Sequence, residues 1–405
     1  MRIGVNGFFH SQPSTGSGAY LRNLFSAISH ECSADDIVLV VPEDEFTGPG
    51  IKKLDATSLD ATSLDATSLD ATSGASSRLF QYPESVALAR WSENLGKVWF
   101  EQVAFGQACR REHVALAHVP YFASPLFPTA PTVVTIHDLI PLLLPLYRGS
   151  WLVRLYTRLV SVSARRAQRV IADSECSKRD IVKHLGIPEE RIRVVYLAAG
   201  ERYRPAAPEQ VQAVRAKYAL PENYLLYLGG FDQRKNVRVL IEALALLPEL
   251  ASAGWTLALA GATGGRDSAF FPDPERMARE TGVAERAIRM IGWVSEEDKP
   301  ALYTGAGAFL FPSLYEGFGL PPLEAMACGA PVICSNAGSL PEIVGSAALQ
   351  AEPTSAVAWA ESIRAVCTDP ERRRELRERG PAQAGQFSWT RAASETASLY
   401  RSVLG

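Results

Sequence analysis

The chain contains 405 residues with a mass of 44.0 kDa, enough for two or three domains. Its 47% hydrophobic and 21% charged residues are typical of a globular protein and exclude a disordered or fibrous chain. A net charge of −3 argues against a nucleic-acid partner, and no apolar run reaches the roughly eighteen residues of a membrane-spanning helix. No secretory leader pattern follows Met1, and six cysteines without metal-site spacing predict free thiols in a cytoplasmic protein.

A five-residue repeat interrupts the N-terminal part of the chain. The unit Leu54–Ser58 recurs without change until Ser73. A period of five matches neither a helix nor a strand, and the apolar residues are too sparse to form a core. Residues 48–77 are therefore predicted to be a flexible insertion in a loop.

Outside the repeat, short apolar runs alternate with amphipathic patterns, which predicts mainly parallel sheets covered by helices. The predicted strands are Arg2–Asn6, Ile37–Val41, Ala115–Val119, Thr132–Ile136, Arg169–Ala172, Arg193–Leu197, Tyr224–Leu228, Thr256–Ala260, Ile288–Ile291, Ala308–Phe311 and Pro331–Cys334. Predicted helices include Ala19–Ser29, Lys178–Leu185, Val237–Leu247 and Pro322–Cys328. So many strands exceed one open sheet of usual size, and two doubly wound domains are the simplest interpretation.

A proline-bearing stretch at residues 204–208 marks the predicted domain boundary. The interpretation is an N-terminal domain over residues 1–203, a C-terminal domain over residues 204–385 and a terminal helix over residues 386–405. Ligands of doubly wound sheets bind beyond the carboxyl ends of the strands. A cleft between two such domains is the expected binding site.

The segment Pro312–Gly329 carries the strongest functional signal. It follows a predicted strand and joins a glycine-bearing turn to a helix that starts at Pro322, a residue type favoured at a helix start. Backbone N–H groups at such a turn favour an anion such as a diphosphate. Glu316 and Glu324 can each accept two hydroxyl hydrogen bonds from a vicinal diol. The alternative is that Glu316 caps the helix and Glu324 is a surface charge.

This segment resembles the donor-site signature of glycosyltransferase family 4, whose members are retaining enzymes with the GT-B fold. Further segments similar to the family are spread over most of the chain: Thr15–Gly18, Thr135–Leu139, Tyr227–Asn236, Ile291–Val294 and Gly338–Glu342. The resemblance implies an α/β, GT-B architecture of two Rossmann-like doubly wound domains facing across a cleft. In such enzymes the C-terminal helix crosses back to the N-terminal domain.

The resemblance also implies an activity, the transfer of a hexose from a nucleotide diphosphate sugar to a glycan or lipid-linked acceptor. The residues expected to bind the donor are Gly16, Gly18, Arg234, Lys235, Val294, Glu316, Gly317, Phe318, Gly319, Leu320 and Glu324. The residues expected to take part in catalysis are His137, Glu316, Arg234 and Lys235.

Each role has a chemical reason. Negative charge builds on the leaving diphosphate, and Arg234 and Lys235 are suited to neutralise it. Many family members place an arginine several residues before the lysine, where this chain has Gly229 and Gly230. Either Arg234 takes over that role or one phosphate contact is missing.

By the resemblance, Glu324 holds the ribose diol, Glu316 and the backbone of Phe318–Leu320 hold the donor sugar, and Val294 meets the base through its backbone. His137 follows an apolar run and is expected at a strand's carboxyl end, where it hydrogen-bonds the donor sugar. Asp138 either orients His137 or caps the next segment.

Gly16 and Gly18 are predicted to form a glycine loop before a helix. Their spacing is not the dinucleotide fingerprint, because Leu21 stands where a third glycine would be required. An NAD-dependent enzyme is therefore disfavoured.

No Asp-x-Asp pair occurs in the sequence, which agrees with a transferase that needs neither a metal nor a cofactor. The segments around His137 and Arg234 are most similar to bacterial mannosyltransferases of surface polysaccharide synthesis, which implies GDP-mannose as donor. Two alternatives stay open: a sugar-nucleotide epimerase or hydrolase on the same fold, and a non-catalytic glycosyltransferase-like subunit.

The stretch from Leu139 to Ala172 contains six arginines and no acidic residue. On a helix spanning Leu152–Arg169, four of the arginines fall within roughly 60° of one another, with Leu152, Leu155, Leu159 and other apolar residues on the other side. Such a helix either lies on an anionic membrane, at the inner face of the plasma membrane, or packs its apolar side into the core.

Overall fold

The computed structural model describes residues 2–12, 15–28, 37–42, 53–55, 76–82, 93–262 and 267–405. The chain forms two compact units: unit 1 comprises residues 1–197 and 389–405, and unit 2 comprises residues 198–388. Each unit is built on one sheet with helices packed against it.

The sheet of unit 1 has the order β3-β4-β2-β1-β5-β6-β7-β8. All neighbouring strands are parallel except β3 and β4. The strands are β1 (Ile3–Asn6), β2 (Ile37–Pro42), β3 (Lys53–Asp55), β4 (Ser76–Tyr82), β5 (Leu116–Val119), β6 (Thr132–Ile136), β7 (Arg169–Ala172) and β8 (Ile192–Val194). The strand order reverses between β1 and β5, so a ligand is expected beyond their carboxyl ends.

The central strands of unit 1 are buried along their whole length, because helices cover the sheet. The helices are α1 (Gly16–Ile28), α2 (Glu93–Trp99), α3 (Phe105–Arg111), α4 (Ile140–Leu143), α5 (Trp151–Ala164), α6 (Glu175–Asp180) and the terminal helix Trp389–Leu404. A π-helical turn, Phe100–Ala104, joins α2 to α3, and a second, Ile181–Leu185, follows α6.

Two predictions for unit 1 need correction, and one strand was missed. Residues 53–55 and 76–77 of the predicted loop insertion belong to strands, whereas the other predicted insertion residues lie outside the described ones. The strand β4 was not predicted at all. The helix expected over Leu152–Arg169 ends at Ala164, because Arg169 is the first residue of β7.

The sheet of unit 2 has six parallel strands in the order β11-β10-β9-β12-β13-β14. These are β9 (Tyr224–Leu228), β10 (Thr256–Ala260), β11 (Ile288–Gly292), β12 (Ala308–Phe311), β13 (Val332–Ser335) and β14 (Leu349–Ala351). This is the strand order of a dinucleotide-binding fold, and its reversal between β9 and β12 marks the place where a ligand binds.

The helices of unit 2 cover both faces of this sheet. They are α7 (Pro208–Lys217), α8 (Val237–Ala245), α9 (Pro248–Ser252), α10 (Pro274–Thr281), α11 (Lys299–Gly305), α12 (Leu320–Ala327), α13 (Leu340–Val344), α14 (Ala356–Thr368) and α15 (Pro370–Ala384). A core centred on Trp359, Tyr227 and Leu240 fills the space between α8, α14 and the sheet. Two Rossmann-like units were predicted, and the fold class is confirmed.

Candidate active site

The loops that follow β9 and β12 bring a carboxylate between two cations. Arg234 and Lys235 lie in a turn after β9, and Glu316 lies in the loop after β12. Glu316 Oε1 is 2.7 Å from Arg234 Nη1 and 2.7 Å from Lys235 Nζ. Lys235 and Glu316 are 81 residues apart in the sequence, and the pairing of the parallel strands β9 and β12 brings them together at the strand-order reversal.

The two cations set the charge of Glu316. Burial alone would raise the pKa of this carboxyl group, but Lys235 and Arg234 lower it below its ordinary value. Glu316 is therefore ionised at neutral pH. Arg234 is also fixed in direction, since its Nη1 donates to the Tyr315 carbonyl at 3.0 Å.

The loop after β13 covers the backbone of Glu316. The Ser339 hydroxyl donates to the carbonyls of Glu316 at 3.0 Å and Phe318 at 2.6 Å. Gly338 has φ +60°, and a Cβ built on it would lie 2.8 Å from the Glu316 carbonyl oxygen. This position therefore requires glycine, which keeps the two loops in contact.

The start of α12 offers fewer backbone donors than expected. The helix begins at Leu320 after Gly319, whose φ is +110°. Pro321 and Pro322 occupy the next two positions and carry no N–H group. The expected anion site at this helix start is thus reduced to the N–H of Leu320 and of the glycine-bearing turn, Gly317–Gly319.

Glu324 lies one turn into α12, and it is not a simple surface charge. It is only partly exposed, and Tyr303 donates to its Oε2 at 3.4 Å. Burial raises the pKa of Glu324 to about 7, with Glu296 nearby adding to the effect and Lys299 opposing it. The aromatic residue Tyr303 is a neighbour that the sequence pattern did not predict.

Val294 follows β11 at the edge of the same sheet. Its side chain is buried, whereas the neighbouring Trp293 is 70% exposed. Gly292 before it has φ +70° and accepts the N–H of Gly261 through its carbonyl at 2.8 Å. The loop backbone after β11 is thereby fixed next to the loop after β10.

In unit 1, His137 follows β6 and both of its ring nitrogens are engaged. Nδ1 lies 2.7 Å from Asp173 Oδ2, and Nε2 lies 3.1 Å from the Pro120 carbonyl. Burial would lower the pKa of His137, but Asp173 raises it above its ordinary value. Because a carbonyl and a carboxylate both accept, the doubly protonated ring fits this site best.

Asp173, not Asp138, is the residue that orients His137. Asp173 follows β7 as His137 follows β6, so the two meet at one edge of the sheet. Asp138 accepts the N–H of Ile140 at 3.0 Å and caps the next helix. Ser174 caps α6 by accepting the N–H of Ser177 at 3.0 Å.

A chain of buried polar groups lies next to His137. The Tyr20 ring packs edge-on against His137 at 4.8 Å, and its hydroxyl lies 3.0 Å from the hydroxyl of Thr135. Thr135 is 2.8 Å from His118 Nε2, and His118 Nδ1 is 2.6 Å from the Tyr400 hydroxyl of the terminal helix.

Gly16 and Gly18 belong to the first turn of α1, not to a loop before it. Thr15 caps this helix by accepting the N–H of Gly18 at 3.1 Å. A Cβ on Gly18 would lie 2.0 Å from the Gln12 carbonyl oxygen, whereas one on Gly16 would meet nothing. Gly18 is therefore needed for the close approach of the backbone.

A second cluster at the strand-order reversal of unit 1 was not predicted. The ammonium of Lys97 lies between 5.2 and 5.9 Å from the ring centres of Phe8, Phe9, Tyr121 and Tyr156. Beneath it, the buried Glu101 accepts the Tyr156 hydroxyl at 2.8 Å, and burial raises the pKa of Glu101 to about 7. Glu101 lies in the π-helical turn, a feature that often accompanies function and that sequence periodicity does not reveal.

The described residues contain neither a metal site nor a membrane-spanning helix. No group of three or more His, Cys, Asp and Glu side chains among them is placed to hold a metal ion. Within the same ranges, every helix is too short or too polar to cross a membrane. Five cysteines in these ranges are free thiols, and Cys32 lies outside them.

Two family models match the chain. The one described as Glycosyltransferase Family 4 matches residues 71–198, and the one described as Glycosyl transferases group 1 matches residues 211–383. O-antigen chain mannosyltransferase B of Escherichia coli is 38% identical over 270 residues, which cover 66% of this chain and 70% of that protein. Serotype-specific mannosyltransferase WbdA of Escherichia coli is 32% identical over 271 residues, only 32% of its own length.

Solved structures agree in fold. Sucrose-phosphate synthase from Thermosynechococcus elongatus has a TM-score of 0.74 at 21% identity, over 100% of this chain and 99% of that chain. The Anabaena protein HepE in complex with UDP-glucose has a TM-score of 0.70 at 19% identity, over 99% and 100%.

The two Rossmann-like units and these likenesses define a hexosyltransferase with the GT-B fold. The chain belongs to glycosyltransferase family 4.

Proposed function

We propose that this enzyme transfers mannose, with retention of configuration, from GDP-mannose to a glycan or lipid-linked acceptor. The donor identity rests on the mannosyltransferases among the relatives. The observation that carries the proposal is the placement of Glu316 between Arg234 and Lys235 at the strand-order reversal of unit 2.

The chemistry of this cluster supports a diphosphate leaving group. A guanidinium and an ammonium within reach of one point provide the charge that a departing nucleoside diphosphate requires. When the diphosphate takes up these cations, the Glu316 carboxylate is released to accept hydroxyl hydrogen bonds from the donor sugar. Glu324 is proposed to hold the ribose diol, and the backbone at Val294 to meet the base.

We propose that no divalent metal takes part. Arg234 and Lys235 supply two positive charges where a metal would otherwise neutralise the diphosphate. The proposal for unit 1 is that the protonated His137 exchanges the hydrogen bond from its Nε2 to the Pro120 carbonyl for one to the donor sugar, and that Gly16 and Gly18 allow close approach of the donor.

We propose that the acceptor binds to unit 1. The partly buried rings of Phe8 and Phe9 lie at the strand-order reversal of that unit, and aromatic rings are suited to line a small-molecule site. The exposed arginines and apolar side chains of α5 support contact with an anionic membrane, at the cytoplasmic face where a lipid-linked acceptor would be reached.

The first test measures calorimetric binding of GDP, UDP, ADP and dTDP with EDTA present, followed by mannosyl transfer or donor hydrolysis with GDP-mannose. Lys235→Gln is expected to weaken GDP binding roughly 10- to 100-fold, because a charge-assisted hydrogen bond is lost. The matched control is Arg238→Gln, since Arg238 is exposed and pairs with Glu242 and Glu280. The control should bind GDP like the unaltered enzyme.

Each outcome has a meaning. Preference for UDP would overturn the donor assignment but leave the site. Loss of binding in EDTA would overturn metal independence. Release of mannose without any acceptor as the sole reaction would favour a hydrolase, and no nucleotide binding in a folded sample would favour a non-catalytic subunit.

A further inference from the structure

A basic pocket lies on unit 1, between α4, α5 and the π-helical turn Ile181–Leu185. It has a volume of about 350 Å³, at the lower end of the range for small-ligand sites. Its lining residues are Pro141, Leu142, Arg148, Arg154, Thr157, Arg158, Ser161 and His184. They come from α4, α5, the turn between these helices and the π-helical turn after α6.

The charges of this pocket are all of one sign. Three of its lining residues are arginines, one is a histidine, and none is a carboxylate. Arg148, Arg154 and Arg158 are exposed, and no ion pair or side-chain hydrogen bond to another described residue is found for any of them. By contrast, the neighbouring Arg165 donates to the Leu185 carbonyl at 2.5 Å. Like charges gathered without partners cost free energy unless an anion compensates them.

Apolar side chains emerge directly beside the pocket. Trp151 is 70% exposed, and Leu152 and Leu155 are each 58% exposed. A helix turns by about 100° per residue. Trp151 and Leu155 therefore lie within roughly 60° of Arg158 in angle around the axis of α5. The alternative that the apolar side packs into the core does not hold for Leu152 and Leu155, whereas Thr157, Val160 and Ser163 are buried.

We propose that this pocket binds the phosphate group of a membrane lipid headgroup, while Trp151, Leu152 and Leu155 enter the adjacent acyl boundary. The guanidinium groups match phosphate oxygens in geometry and charge. The inference rests on the proposed function, because a lipid-linked acceptor requires the enzyme at a membrane surface. It goes further by assigning a discrete phosphate site to Arg148, Arg154 and Arg158.

A second copy of this chain fits the surface less well. In a two-fold dimer, the same patch would face itself and bring Arg154 and Arg158 close to their own copies. That contact would leave the positive charges uncompensated. An anionic bilayer supplies both the negative charge and the apolar phase.

The test is co-sedimentation with vesicles of phosphatidylcholine that contain about 30% phosphatidylglycerol, which gives them a moderately anionic surface. Arg154→Gln combined with Arg158→Gln should lower the vesicle partition coefficient about thirtyfold, since each cation near the surface contributes about a fivefold gain. The matched control, Arg110→Gln with Arg193→Gln, removes the same charge from exposed positions elsewhere in unit 1. It should lower partitioning less than threefold.

Further arms separate the alternatives. Trp151→Ser should lower binding to both anionic and neutral vesicles, because it removes the apolar contribution. Millimolar inorganic phosphate should compete only weakly; full competition, or a thermal shift by phosphate alone, would identify a site for a free phosphate and overturn the lipid assignment. Equal losses of vesicle binding in the pocket variant and the control variant would show that only general charge attraction is at work and would overturn the pocket.

Light scattering tests the remaining alternative. If the protein is a dimer and Arg154→Gln dissociates it, the occupant of the surface is a second copy of the chain.

GDP binding is measured on the same variants. Because Arg154 and Arg158 belong to unit 1 and the nucleotide site is proposed in unit 2, GDP affinity should be unchanged. Loss of vesicle binding with normal GDP affinity supports the pocket alone. Failure of GDP to bind any variant, including the unaltered enzyme, would count against the proposed function and leave the vesicle result to stand.

Discussion

Glu316 and the diphosphate of a donor would compete for the same two cations. The carboxylate pairs with both Arg234 and Lys235 at 2.7 Å from each. A substrate diphosphate must therefore displace the Glu316 carboxylate before it can pair with these cations. This arrangement makes nucleotide binding and catalysis respond differently to one substitution.

Glu316→Gln should bind GDP as tightly as the unaltered enzyme, or several-fold more tightly, and yet transfer mannose at least 100-fold more slowly. The first effect follows from removing a negative charge beside the cations, and the second from losing the carboxylate that is proposed to hold the sugar. Calorimetry with GDP and initial rates with GDP-mannose check the two effects separately. A parallel loss of affinity and rate would contradict this role.

Glu324 is expected to lower the stability of unit 2 near neutral pH. Its pKa of about 7 lies above the roughly 4.3 of an unfolded glutamate, so the unfolded chain releases its proton first as the pH rises. Stability is therefore lost between about pH 4.5 and 7. Glu324→Gln should raise the free energy of unfolding by about 1 to 3 kcal/mol at pH 8 and leave it almost unchanged at pH 4.5.

The same variant should weaken GDP binding roughly tenfold or more, because a ribose diol loses an ionised partner. Urea unfolding at the two pH values and calorimetry with GDP are the measurements. Glu361→Gln, at an exposed position of α14 in the same unit, is the control for removal of one charge. A destabilised Glu324→Gln protein would show that the buried carboxyl group is better paired than this interpretation requires.

At the scale of secondary structure, the terminal helix is attached to the sheet of unit 1 by Tyr400 and His118. Burial lowers the pKa of His118 to about 3, so the ring is neutral in the folded protein. The unfolded histidine takes up a proton near pH 6.5. Stability is therefore lost as the pH falls from about 6.5 towards 3.

Between pH 5 and 6, the His118→Gln variant should take up about one proton fewer on unfolding than the unaltered protein. The number of protons is measured from the pH dependence of the unfolding free energy. Tyr400→Phe keeps the histidine and should cost about 1 kcal/mol at every pH. The contribution of His137 has the opposite sign and is lost only as the pH rises above about 6.5, so it does not obscure this window. An unchanged pH slope in His118→Gln would contradict the buried neutral ring.

The elements also show what the sequence could and could not reveal. Strands such as β9, β10 and β12 were predicted with their bounds because runs of apolar residues between helical patterns have few other interpretations. The three-residue strand β14 and the strand β4 lack that contrast. The helix α5 was predicted too long, because arginine spacing on a helical wheel does not reveal where a following strand begins.

At the scale of the whole molecule, the alternation of strand-like and helix-like patterns predicted the doubly wound architecture. The candidate site around Glu316 was predicted from the motif Pro312–Gly329 and its resemblance to glycosyltransferase family 4. The partners of the site residues did not follow. Asp173 lies 36 residues after His137, and Tyr303 lies 21 residues before Glu324. Only the register of neighbouring strands and helices brings such pairs together, and a single sequence does not contain that register.

The terminal helix has a consequence for synthesis on the ribosome. Unit 2 is one continuous stretch, residues 198–388, whereas unit 1 is closed by residues 389–405. Synthesis of unit 1 therefore begins first, but its last residues are made only after all residues of unit 2. Until residues 389–405 have been synthesised, Tyr20 and His118 have no Trp389 or Tyr400 to pack against, and a nascent chain that stops before residue 389 leaves part of the core of unit 1 open to water.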